Sequence, residues 1–293
     1  MSADTATAPP QLRPLALGEI LDVSIKLVRR NWRALATLVL VVAVPLAVVS
    51  LLITTSTTSY DATNDVRSAD EGAAYGGGVA INAVLQVVLY LLATVACFLA
   101  IADAYLGRPP DWQASLAFAA RRGPAVFVMF VAAFLAIVVG FVPLVIPGIF
   151  LTIRWAVALP ALLLERRGPM AALGRSWRLV AGFWWKCFGT LLVTYLLVTV
   201  VTFAVVAVLG AVLAAFTNTD SFLGLTLQQV ITVVVELFTL PLFAAVTIVL
   251  YVDLRVRKEG FDLALMADHI ADPQQAGSSK PSSEAPRHPA FGE

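Results

Sequence analysis

Two charges stand well inside apolar runs of this chain: Arg154, in the short run IFLTIRWAVALPALLL (149–164), and Glu236, in the last run. A charge within the hydrocarbon of a membrane is costly, so it pairs or faces a substrate or a watery cavity. At 1.5 Å of rise per residue, Arg154 is expected about 8 Å below the outer end of its run. Glu236 is expected near mid-depth, where an arginine can reach it across helices. The expected Arg154–Glu236 ion pair has two uses. It can be a clasp that lets a weakly apolar segment insert, or a site for a polar substrate or lipid headgroup. Asn82, Gln86, Gln228 and Gln229 lie in the outer halves of their runs and line the same interior if a cavity exists. Such side chains also hydrogen-bond simply from helix to helix.

No other set of residues offers chemistry. The chain has two histidines, His269 and His288, and contains no GxSxG, HExxH, CxxC or phosphate-binding glycine loop. Nucleophile, acid and base are not found together, so catalysis is not expected. No cofactor, metal or nucleic acid is called for. Cys97 and Cys187 fall in or beside apolar runs and read as small buried hydrophobes.

The elements that position these residues are membrane spans. The chain has 293 residues, 59% hydrophobic and 13% charged, with a mean hydropathy of +0.86. A soluble domain carries about 25% charged residues. Six runs stand out: Ala34–Ile53, Val79–Ala102, Pro124–Val145, Ile149–Leu164, Phe188–Phe216 and Leu225–Val252. The fourth is short against the roughly 20 residues a span needs. Charge decides its path, because the loops on the cytoplasmic side collect Lys and Arg. If all six runs cross, every one of the 20 basic residues except Arg67 and Arg154 lies on one side. Both termini are then cytoplasmic. The alternative is a re-entrant fourth segment shaped by Pro143, Pro147 and Pro160. Pro45 and Pro241 also bend or break helices.

Each hairpin of spans is preceded by an amphipathic stretch. The first is Leu17–Arg33, with Leu17, Leu21, Ile25, Val28 and Trp32 as its apolar stripe. The second is Asp111–Arg122, with Asp111 as N-cap. The third is Pro169–Lys186, opened by Gly168-Pro169. All three are expected to lie at the cytoplasmic interface, where Trp32, Trp112, Trp177, Trp184 and Trp185 anchor. Asp103, Glu165 and Asp253 each end an even-numbered span and are followed by arginine. This predicts an all-α integral membrane protein of six spans and three cytoplasmic amphipathic helices, with a possible threefold hairpin repeat. Residues 1–11 and 271–293 are read as disordered ends of a 12–270 membrane domain. Thr54–Gly78 is read as a flexible outer loop.

Three stretches carry a resemblance: LRPLALGEILDVSIKLVRRNW (12–32), VIPGIFLTIRWAVALPALLLERRGPMAALGRSWRLVAGFWW (145–185) and YVDLRVRKEGFDLALM (251–266). Together they resemble the family named for the membrane domain of bacterial glycerophosphoryl diester phosphodiesterases. In two-domain relatives the chemistry belongs to a soluble domain with His, Glu and metal-binding carboxylates. The resemblance therefore implies a non-catalytic membrane module in the bacterial cell membrane. Its partners are expected to be lipids or a protein at the cytoplasmic face, with Arg166, Arg167, Arg175, Arg178 and Lys186 as a basic patch for anionic headgroups. The alternative is a small permease or lipid transporter using the interior around Arg154 and Glu236.

Overall fold

The computed structural model describes residues 15–61, 69–141, 145–216 and 222–259, the side chains of 56–75 and 215–216 excepted. The expected N-terminal arm, the tail, Pro143, His269 and His288 lie outside the described residues. Among those described, every regular element is a helix: α1 (Leu17–Arg30), α2 (Trp32–Asp61), α3 (Ala69–Tyr105), α4 (Trp112–Phe141), α5 (Val145–Arg154), α6 (Ala158–Leu164), α7 (Pro169–Val180), α8 (Trp184–Phe216) and α9 (Phe222–Glu259). Six stretches are long and apolar enough to cross a membrane, one for each expected span; α5 and α6 together make the fourth, Val145–Leu164. The all-α, six-span expectation holds.

The long helix α9 is the axis of the bundle. It packs against α1, α2, α3 and α8, and more lightly against α6 and α7. One buried cluster joins α2, α3, α4, α6 and the middle of α9. A second gathers Ile20, Ile153, Val157, Leu179 and Cys187 around Val246–Val256. Cys97 and Cys187 are both free and fully buried, as their apolar settings require.

The chain ends of several helices meet at one end of the bundle. A left-handed Gly107 (φ 76°) closes α3, with the amide of Arg108 returning to Asp103. Asp111 caps α4, its carboxylate accepting the Gln113 amide at 2.9 Å. Gly168 and Pro169 open α7, and Gly182 (φ 86°) turns the chain from α7 into α8.

The amphipathic stretches differ from expectation. Asp111–Arg122 is no separate helix. It is the first part of α4, which runs unbroken through Pro124. That proline's missing N–H is tolerated, as in many spans. α1 buries Ile20 and Ser24 against the bundle, while Ile25 stays 45% exposed. Its apolar stripe is therefore rotated from the predicted one, because the helix packs on α9 and α8 rather than lying alone on an interface. α7 turns back along α6 and also touches α4 and α5. The outer loop is shorter than expected: α2 continues to Asp61 and α3 begins at Ala69. Of the three expected short helices, α1 and α7 are separate elements and the second is not.

Candidate functional site

The fourth span breaks at Trp155–Val157, one turn before Pro160. A proline cannot donate to the carbonyl four residues back, and its ring crowds that carbonyl. The Ala158 amide then bonds Trp155 rather than Arg154. The freed Arg154 carbonyl accepts the hydroxyl of Ser176, fully buried in α7, at 2.8 Å. In return Arg154 Nη1 donates to the Trp177 carbonyl at 3.1 Å. Its guanidinium lies over the Trp177 ring (4.6 Å) and the Phe150 ring (4.9 Å). Phe150 stacks on Trp184, which stacks on Phe188. Pro45, Pro147 and Pro241 sit within continuous helices.

The Arg154–Glu236 pair is not formed. No ion pair involves either residue among those described, and the two occupy different parts of the bundle. Ile153 belongs to the cluster around Val246–Val256, whereas Val233 and Leu237 pack on the cluster of α2, α3 and α4. Asn82 and Gln86 bind each other's helix partner instead of a cavity: Ser50 Oγ donates to Asn82 Oδ1 at 3.0 Å, and Gln86 Nε2 donates to Ser50 Oγ at 2.9 Å. They tie α2 to α3. Gln228 is exposed and Gln229 half-buried.

The densest chemistry is at the end where α3, α6, α9 and the start of α8 meet. Asp253 is completely buried. It accepts the Leu15 amide at 2.7 Å and Arg257 Nε at 3.0 Å, and it pairs with Lys186. Lys186 and Arg257 also donate to the Leu15 carbonyl, at 2.8 and 2.9 Å. Glu165, whose side chain is 7% exposed, receives Arg175 Nε (2.8 Å) and the Tyr251 hydroxyl (2.6 Å), with Arg167 beside it. Arg175 pairs in turn with Glu259. Burial alone would raise the Glu165 carboxyl. The hydrogen bonds from Tyr251, Arg175 and Arg167 outweigh it and hold the group below the ordinary carboxylate value. Burial would likewise lower Arg175, but Glu165 and Glu259 leave it raised.

The five-residue basic patch is therefore split. Arg175 and Lys186 are turned inward onto carboxylates, because each carboxylate leaves water only with a partner. Arg166 and Arg178 face outward, and Arg167 is 41% exposed. Next to them a cleft of about 80 Å³ opens between α3, α4 and α6, lined by Asp103, Arg108, Ser115, Phe118, Leu163 and Arg166 among others. Asp103 and Arg108 face each other across 3.9 Å.

Sequence reading missed Ser176 and Tyr251, and gave Glu165 and Asp253 only a place in a repeat. The signal available was the acid at the end of each even span followed by arginine. What it lacked was the partner, which for Asp253 comes from residue 15.

Six spans and a charged knot at the end where the helices gather define a polytopic helical membrane module. Within that class the chain belongs to the family described as the membrane domain of glycerophosphoryl diester phosphodiesterase, which matches residues 126–281. The match opens within α4 and takes in the 145–185 and 251–266 stretches; the 12–32 stretch precedes it. Comparison with curated proteins and with solved structures gave no match.

Proposed function

We propose that the chain is a non-enzymatic membrane module that engages anionic lipids at its basic end, and that this end faces the cytoplasm in the bacterial cell membrane. The observation that carries the reading is the sorting of charge. Glu165, Glu259 and Asp253 are spent on internal partners, while Arg166 and Arg178 are exposed, as are Trp177 and Trp185. What meets the leaflet is cationic and aromatic. Each basic residue near an anionic surface contributes about 1 kcal/mol of attraction, and indole rings favour the headgroup level.

The distribution of Lys and Arg along the sequence supports the orientation, with both termini inside. A permease built on Arg154 and Glu236 loses its geometric support, since the two do not meet.

The test is native mass spectrometry of the full chain released from mild detergent with defined lipids. Wild type should retain phosphatidylglycerol over phosphatidylcholine, and Arg166→Gln/Arg178→Gln should weaken that preference. Equal retention of both lipids by wild type would refute the reading.

A further inference from the structure

We propose, resting on the lipid reading, that Arg154 and the rings around it form a seat for the phosphate of an anionic phospholipid, entered between α5, α7 and α8. A guanidinium has five N–H donors in a planar fork. Arg154 uses one of them, from Nη1, on the Trp177 carbonyl. Its Nε–H is buried with no acceptor. Nη2 has no hydrogen bond among the described residues.

No carboxylate among the described residues pairs with Arg154. Glu165, the acid closest in sequence, is committed to Arg167, Arg175 and Tyr251. The Phe150 and Trp177 faces supply cation–π attraction, about 0.5–2 kcal/mol each. That offsets only part of the cost of a charge within a span. The described residues supply no counter-charge, and a bound anion would.

The surroundings choose its source. Phe150, Trp184 and Phe188 form a continuous aromatic stack that leads from the guanidinium onto α8. Beyond it Leu192, Tyr195 and Leu196 are exposed at 41%, 66% and 52%. That wall suits a glycerol backbone and an acyl chain. The fork of Arg154 suits two oxygens of one phosphate. A free phosphate would use the fork and leave the apolar wall empty.

The experiment is native mass spectrometry of the full chain with added phosphatidylglycerol, phosphatidylcholine or excess inorganic phosphate. Wild type should hold one phosphatidylglycerol that inorganic phosphate does not displace. Arg154→Gln should lose it by roughly tenfold or more, the worth of a charge-assisted hydrogen bond. Arg154→Lys keeps the positive charge but not the fork, so it should fold and still bind several-fold less tightly. If Arg154→Lys holds the lipid as wild type does, the seat is refuted. If Arg166→Gln/Arg178→Gln then abolishes retention, the broader lipid reading stands without it. Displacement by inorganic phosphate would overturn the lipid source. Retention of no anionic lipid by wild type would sink both.

Discussion

The Ser176 hydroxyl donates to the main-chain carbonyl of Arg154 at 2.8 Å, across 22 residues of sequence. It takes the place of the Ala158 amide, which bonds the Trp155 carbonyl at the break in the fourth span. Without it the carbonyl would stay unpaired in a dry interior, at a cost of about 1–3 kcal/mol. Ser176→Ala should lower the thermal midpoint in detergent accordingly. Thr194→Val is the control. Thr194 is equally buried, but its hydroxyl only returns to Thr190 on its own helix, a bond of little net worth. Equal losses from the two substitutions would contradict the clamp.

Asp253 should be the most sensitive acid in the protein. Its side chain is fully buried and holds Lys186, Arg257 and the Leu15 amide together. Asp253→Asn keeps the shape and leaves two cations without a counter-charge, a loss of about 3–5 kcal/mol. The corresponding acid of the first hairpin is different. Asp103 and Arg108 are 3.9 Å apart and 31% and 45% exposed, so the ion pair lost in Asp103→Asn should account for about 1 kcal/mol or less. Folded yield and thermal midpoint of both variants measure the contrast. Similar losses would mean that the Asp253 knot is not what holds α1 to α8 and α9.

Low pH should loosen the α6–α7–α9 junction through Glu165. Its folded carboxyl is held below the ordinary value of 4.5. A depressed carboxylate contributes stability that is present above its unfolded value and disappears as pH falls through the folded one. Thermal midpoints should therefore be flat with respect to this group from neutrality to about pH 5, then drop on further acidification. Tyr251→Phe removes one of the bonds that depress the group and should move the drop to higher pH. Glu165→Gln should remove this component of the drop. An unchanged acid limb in both variants would contradict the assignment.

What could be read from the sequence follows from the range of the interactions. Spans are contiguous apolar runs, so all six were legible, and so were the buried Cys97 and Cys187. Asp111 and Gly168-Pro169 act within one turn of themselves and were legible as helix starts. The apolar stripe of α1 was legible as a stripe, but periodicity does not say whether it meets lipid or α9. Packing against α9 selected Ile20 and Ser24 over Ile25. The pairs Asp253–Leu15 and Tyr251–Glu165 join residues 238 and 86 positions apart, and nothing local marks them. Arg154 was visible as an intramembrane charge. Its partner was not, because a carbonyl and two rings carry no charge signature.

The choice of partner for Arg154 has a direct genetic consequence. Were Arg154 and Glu236 a clasp, exchanging their charges would restore what each single change destroys. The structure instead places Arg154 against Trp177 and Phe150, with Glu236 on a part of α9 that packs toward α2 and α3. Arg154→Glu puts a carboxylate against two ring faces and a carbonyl oxygen, all of which repel it. Adding Glu236→Arg supplies no cation there and buries a second charge elsewhere. The double exchange should therefore fold no better than Arg154→Glu alone, and Glu236→Gln should fold close to wild type because it breaks no ion pair. Membrane-inserted yield of these three variants and wild type, counted by fluorescence-detected gel filtration, reads this directly. Rescue by the double exchange would show that the two charges meet after all.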